Sequence, residues 1–100
     1  MRVLMDIEMP LELFNAAVRD GSVTAKMRKI LEALKPEAAY FTARNGKRGG
    51  TLVVNVNSPS DIPGLAEPWF LTFNASVQFH IAMTPEDLGR ANLDAVGKQW

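Results

Sequence analysis

Asn45-Gly46 sits between two apolar-rich runs, AAYFTAR before it and TLVVNVN shortly after it. This dipeptide favours a tight hairpin, because both central residues of a type I′ turn take positive φ. A two-residue turn there sets Tyr40 opposite Thr51 and Ala38 opposite Val53. Side chains alternate along a strand, so Ala39, Phe41, Leu52, Val54 and Val56 share one face. Tyr40, Thr42, Arg44, Val53, Asn55 and Asn57 share the other. A one-residue slip would send one strand's side chains to the wrong side. The rest of the chain must supply a cover for the apolar face and neighbours for the two strands.

The flanking segments read as those neighbours. Val3 to Met9 alternates, with Val3, Met5 and Ile7 on an apolar face and Leu4, Asp6 and Glu8 on a mixed, acidic one. Pro10 ends the strand and suits a first helical turn. Leu11 to Arg19 reads as a helix carrying Leu11, Phe14 and Val18 inward. Asp20-Gly21 breaks it, and Ser22 is the expected N-cap of a second helix. That helix presents Val23, Met27, Ile30, Leu31 and Leu34 as one stripe and stops before Pro36. Between Ser58 and Phe73, Ser60 or Asp61 is a candidate cap, but Pro68 predicts a short or broken helix. Ser76 to Met83 alternates again, with Val77, Phe79, Ile81 and Met83 inward and Gln78, His80 and Ala82 outward. Thr84-Pro85-Glu86-Asp87 opens a last helix, docked by Leu88, Ala91 and Ala95, with Leu93 and Val96 adding to the contact. Trp100 is an anchor, either on a partner or on the same domain.

Composition narrows the chemistry. One hundred residues make one domain, and 11 basic residues balance 11 acidic ones. No electrostatic field for nucleic acid or a membrane surface follows from that balance. The chain has no Cys, which removes thiolate metal sites and a cysteine nucleophile. It has 1 His, which removes any site built from several histidines. No stretch is apolar enough for a signal peptide or a membrane span, so a cytoplasmic location is expected.

The order strand, helix, strand, strand, helix, strand is the split βαβ, or ferredoxin-like, α+β arrangement. Right-handed crossovers place both helical layers on one face of a four-stranded antiparallel sheet. The element order, the length and the extra C-terminal helix resemble the dimeric α+β barrel superfamily. The segments LKPEAAYFTARNGKR and IPGLAEPWFLTFNASVQFH are similar to a small bacterial family of unknown function in that group. The resemblance implies two sheets packed face to face in a homodimer. It also implies a small-ligand cavity, and relatives that include cofactor-free monooxygenases, isomerases and haem-dependent enzymes. No site residue of those relatives transfers to this chain by position.

The candidate site lies on the open sheet face, which is too polar for a core and too apolar for plain surface. His80 is the residue whose ordinary pKa lies near neutrality, and Asp6 or Glu8 beside it would orient the ring as a general base. Arg44 with Asn55 or Asn57 would hold a carbonyl or anionic oxygen. Tyr40 and Trp69 would line a pocket for a flat molecule. Catalytic roles therefore fall to His80 and Asp6, and substrate contacts to Glu8, Tyr40, Arg44, Asn55, Asn57 and Trp69. No cofactor and no metal is expected. The resulting function is a cofactor-independent isomerase, lyase or monooxygenase acting on a small organic molecule. The alternative is a non-catalytic ligand-binding or assembly module with His80 in a dimer interface. The turn around Lys47, Arg48, Gly49 and Gly50 lacks the spacing of a phosphate loop and reads as a solvated hairpin tip. An RNA-recognition surface is excluded by Asp6 and Glu8, whose charges oppose phosphate.

Overall fold

The computed structural model describes all residues from Met1 to Trp100. In chain order the elements are β1 (Arg2–Met9), α1 (Leu11–Asp20), α2 (Val23–Leu34), β2 (Ala38–Arg44) and β3 (Lys47–Asn55). A 3-10 turn at Pro59–Asp61 leads into α3 (Ile62–Phe73), followed by β4 (Ser76–Ile81), α4 (Pro85–Arg90) and α5 (Leu93–Gln99). The strands form one antiparallel sheet of 4 in the order β2-β3-β1-β4. That order is the ferredoxin-like topology.

The hairpin register is the expected one. Asn45 and Gly46 take φ of 54° and 74°, so the turn is left-handed at both positions. Tyr40 pairs with Thr51 and Ala38 with Val53. Gly49 and Gly50, expected at the tip, instead lie inside β3 opposite Thr42 and Phe41. Arg48 is not at a solvated tip either. Its guanidinium lies 4.4 Å from the Phe14 ring centre, and Nη1 donates to Asn15 Oδ1 at 2.8 Å.

The core lies between the sheet and α1, α2 and α3. Val3, Met5, Ile7 and Met9 of β1 are all buried, as are Leu52, Val54 and Val56 from β3 and its extension. Ala17, Ile30, Trp69 and Phe73 close over them from the helices. α1 turns a different side inward than expected: Ala17 is buried, while Val18 is 49% exposed. Phe14 still reaches the core, with its ring 5.0 Å from that of Phe73.

Three helix boundaries differ from expectation. Gly21, at φ 82°, ends α1, but the Ser22 side chain does not cap α2. Ser22 itself has helical dihedrals, and Asp20 Oδ1 accepts its N–H at 2.8 Å. α3 runs unbroken through Pro68. An interior proline costs about 3 kcal/mol. Burying the fully enclosed Trp69 and Phe73 returns about 1.5–3 kcal/mol for each ring, so packing wins. Asp61 stands at the N-cap position of α3, one of the two expected, but its carboxylate accepts from the Asn57 and Ser58 N–H groups instead of from the helix, and Ser58 caps the preceding turn in a reciprocal capping box with it.

Two expected core positions are open. Phe41 lies on the covered side of the sheet but is 49% exposed, because β2 is the edge strand and the helices stop short of it. Its ring lies across Gly50, where an added Cβ would come within 3.0 Å of Phe41 Cδ1. β4 ends at Ile81, and both Ile81 and Met83 project beyond the helical cover. The last helix is two short ones, and Leu88, Leu93 and Val96 do not dock on the domain.

Candidate functional site

The open face of the sheet places one polar cluster across all four strands. Asp6 occupies the middle of β1, with Thr51 of β3 on one side and Gln78 of β4 on the other. Arg44 ends β2 at the turn, yet its guanidinium reaches back along the sheet to Thr51 and Asp6. Gly49 makes that path available. A Cβ there would lie 3.0 Å from Arg44 Cβ and 3.3 Å from Arg44 Nε, so a side chain would occupy the space the arginine now uses.

The hydrogen bonds within the cluster have only one possible direction. Arg44 has donors alone, so Nη2 donates to Thr51 Oγ1 at 2.9 Å. The Thr51 hydroxyl proton is then free to donate to Asp6 Oδ1, at 2.7 Å. Asp6 Oδ1 also faces Arg44 Nη2 at 3.5 Å. Asp6 Oδ1 is therefore occupied as an acceptor by Thr51 and faced by Arg44. The second Asp6 oxygen, Oδ2, faces His80 Nε2 at 3.4 Å. A proton on Nε2 makes that contact attractive, and the opposite ring nitrogen, Nδ1, keeps its lone pair for another partner. His80 is 54% exposed, against 27% for Asp6 and 33% for Arg44, so the imidazole is the accessible end of the chain.

Of the residues selected from sequence, His80, Asp6 and Arg44 come together, while Tyr40 lies on the opposite edge strand, three strand spacings or roughly 14 Å from β4. Tyr40 pairs with Thr51 and is 70% exposed on the same face. Glu8 does not reach His80. It pairs with Ser76, four residues along β4 from His80 and so roughly 13 Å away. Asn45 Nδ2 donates to it at 3.4 Å instead. A shallow cavity of about 330 Å³ joins this end to the cluster, lined by Asp6, Glu8, Arg44, Asn45, Ser76 and Gln78.

Three selected residues lie elsewhere. Asn55 pairs with Arg2 at the far end of the sheet, and its Oδ1 accepts from the Met1 nitrogen at 2.8 Å. Asn57 lies past the end of β3, and its backbone N–H donates to Asp61 at 2.9 Å. Trp69 is fully buried in the helical layer, on the opposite side of the sheet from His80. Its burial follows from the α3 stripe it shares with Ala66 and Phe73. Thr51 and Gly49 are the site residues that sequence reading missed. The signal was present: Thr51 shares the parity of Val53 and is set opposite Tyr40 by the turn.

No family model matches the chain, and no curated protein matches it in sequence. Among solved structures it is similar to 5-chloro-2-hydroxyhydroquinone dehydrochlorinase (TftG) from Burkholderia phenoliruptrix AC1100, in complex with 2,5-dihydroxybenzoquinone. The TM-score is 0.61 at 15% identity, covering 86% of this chain and 97% of that one. The likeness is one of fold. The ferredoxin-like architecture read from strand order is thus shared with an enzyme that acts on a small molecule. No helix of this chain is long and apolar enough to cross a membrane.

Proposed function

We propose that the chain is an enzyme acting on a small hydroxylated ring, with His80 as the general base and Asp6 as the residue that orients it. The observation that carries this reading is the polarised chain from Arg44 through Thr51 to Asp6, ending 3.4 Å from the exposed imidazole. Asp6 Oδ1 is engaged by Thr51 and Arg44 and its Oδ2 faces Nε2, so the free proton-accepting atom is His80 Nδ1. Removal of an O–H or C–H proton from the ring would begin an elimination or isomerisation without any cofactor. Tyr40 offers an exposed aromatic face beside Thr51 for the ring to stack on. The fold shared with a dehydrochlorinase supports an elimination over other proton-transfer reactions. A second copy of the chain closes the open face over the site, since Leu4, Val53 and Tyr40 would otherwise leave a mixed apolar surface wet.

The test is a panel of chlorinated hydroxyhydroquinones, from which loss of a hydroxyl proton to the base and departure of chloride give a quinone with no oxidant, followed by the visible absorbance of that product. His80→Gln keeps a hydrogen-bonding side chain but cannot act as a base near neutral pH. It should lower turnover by roughly 10²–10⁴-fold. Equal rates in the wild type and in a folded H80Q variant would refute the assignment. Light scattering after gel filtration should report a dimer, and a monomer throughout the micromolar range would remove the closed site.

One feature favours the second reading, an assembly module without catalysis. The Arg44–Thr51–Asp6 chain already pairs its opposite charges and ties three strands together, with Arg44 Nε as its one buried unpartnered donor. If that is its role, Asp6→Asn destabilises the fold, while H80Q changes neither stability nor ligand binding.

A further inference from the structure

The segment after β4 has no cover within its own chain. Every residue from Ala91 to Trp100 is exposed, and neither α4 nor α5 packs on the body. Yet the segment is built as ordered structure. Thr84 and Asp87 form a reciprocal capping box, and Asn92 takes φ 52° to join the two helices. The side chains it displays are large and apolar: Met83 is 68% exposed, Leu93 58% and Trp100 98%. The molecule measures 60 Å along its longest axis against 28 and 19 Å across. Its radius of gyration is 16.9 Å, where a compact domain of this length has about 13 Å.

The same chain carries an unfilled apolar groove. It lies on the helical side of the sheet, where β1 and β4 end near the 3-10 turn, with Val3, Val56 and Phe79 as its floor. Met1, Ile62 and Ile81 form the rim with Asn57 and Ser58 beside them; no charged side chain lines it, and the Met1 ammonium is turned to Asn55 Oδ1 and the Val56 carbonyl. Its volume is about 240 Å³, below the roughly 300–1,000 Å³ of ordinary ligand pockets. That is room for one aromatic side chain.

We infer that the arm from Met83 to Trp100 docks on a second copy of the chain, with Trp100 seated in that copy's groove. Two facts select a second copy as the occupant. A knob and a hole on one chain that do not meet within it are matched by another copy, and a reciprocal two-fold arrangement fills both at once in a finite dimer where a head-to-tail contact would leave an open chain. Area is the other. An indole offers on the order of 200 Å². Together with Met83, Leu88, Leu93 and Val96, it brings each protomer toward the roughly 800 Å² that a standard interface buries per partner. The inference shares with the proposed function only the need for a second copy. None of the arm or groove residues belongs to the Asp6–His80 cluster.

The chain has no cysteine of its own, so single cysteines report contacts cleanly. Asn57 lines the groove and Gln99 precedes Trp100. Asn57→Cys and Gln99→Cys proteins, mixed and oxidised, should give a covalent heterodimer well above the homodimer either forms alone. In parallel, Trp100→Ala should raise the dimer dissociation constant roughly thirtyfold, the cost of losing a buried tryptophan anchor. A dimeric wild type in which the mixture does not cross-link and W100A dissociates like wild type would overturn the inference and leave the catalytic reading standing. An N57C/Q99C double variant that closes a ring within one chain would also overturn it. A wild type that stays monomeric would overturn both this inference and the closed site.

Discussion

Gly49→Ala tests the packing beneath the site, because two simple arguments predict opposite signs for it. Glycine in a strand loses more backbone entropy on folding than alanine, so the substitution alone would stabilise by about 0.5–1 kcal/mol. The structure opposes this. A Cβ at Gly49 would come 2.5 Å from the Ile7 carbonyl oxygen, 3.0 Å from Arg44 Cβ and 3.3 Å from Arg44 Nε. Arg44 can swing aside, but the Ile7 oxygen belongs to the backbone of central strand β1. Overpacking of this kind costs about 1–3 kcal/mol. The net expectation is a loss of up to about 2.5 kcal/mol, and a fall in Tm of about 4–8 °C for each kcal/mol. Urea unfolding with an unchanged m-value measures the loss. The Arg44 side-chain N–H resonances should shift at the same time, as the bond to Thr51 breaks. Gly50→Ala is the control. Its Cβ would meet the Tyr40 carbonyl oxygen at 2.6 Å on the other face, so it should destabilise without moving the Arg44 signals. A G49A protein as stable as wild type, or more so, would refute the reasoning.

Trp69→Ala should cost about 3–5 kcal/mol in urea unfolding, since the ring is fully enclosed. Trp69→Phe should cost far less, because it also removes an indole N–H that is buried without a partner; equal losses would contradict this packing. Acid should loosen α4 first at its cap. The Thr84 backbone N–H, and then the Thr84 side chain, hold the Asp87 carboxyl below the ordinary aspartate range. A depressed folded-state value means that the contribution is complete above about pH 4 and is lost as pH falls through that lowered value. The Thr84 and Asp87 amide resonances should therefore hold from neutrality to about pH 4 and move only below it. Movement beginning near pH 6 would contradict the assignment. Arg48→Met should keep most of the contact with Phe14 but lose the bond to Asn15, with an effect of about 1 kcal/mol or less. A loss several times larger would show that the cation over the ring matters more than its stem.

The fold was legible in sequence because its determinants are local. Asn45-Gly46 carries a turn whose dihedrals few other pairs adopt, and strict alternation in β1 and β3 reveals which side is buried. What failed to show was cover. Phe41 and Val54 have the same parity, but Val54 lies on a central strand under helices and Phe41 on an edge strand beyond them. Ile81, Leu88 and Val96 fail in the same way, since periodicity tells which side a residue faces and not whether anything lies there. Pro68 misled for a different reason. Its cost is local and visible, while the burial of Trp69 and Phe73 that offsets it depends on the sheet below. In the site, Asp6 and His80 followed from two alternating strands made neighbours by topology. Thr51 and Gly49 required reading the hairpin register out to the third and fifth pairs from the turn, where Gly49 supplies an absence and Thr51 a hydroxyl.

The pairing within the cluster bears on how a second copy can cover it. Burying a lone carboxylate or guanidinium costs several kcal/mol, and that cost falls when the charges already satisfy each other. Asp6 and Arg44 enter a proposed interface paired through Thr51, with Asp6 Oδ1 occupied. Glu8 enters with only the weak 3.4 Å bond from Asn45, and no cation is paired with it. The Asp6 end of the open face can therefore be desolvated while the Glu8 and Asn45 end has to stay wet at the rim. In that orientation the cavity beside Glu8 remains connected to solvent after the sheet is covered, and a small molecule can reach Asp6 and Arg44 along it. Glu8→Leu distinguishes this arrangement from a face buried whole. At a wet rim the change alters ligand entry and leaves the dimer dissociation constant within about twofold, since rim charges contribute little. Under a fully buried face it removes an unpaired buried charge, and the dimer tightens by roughly tenfold or more.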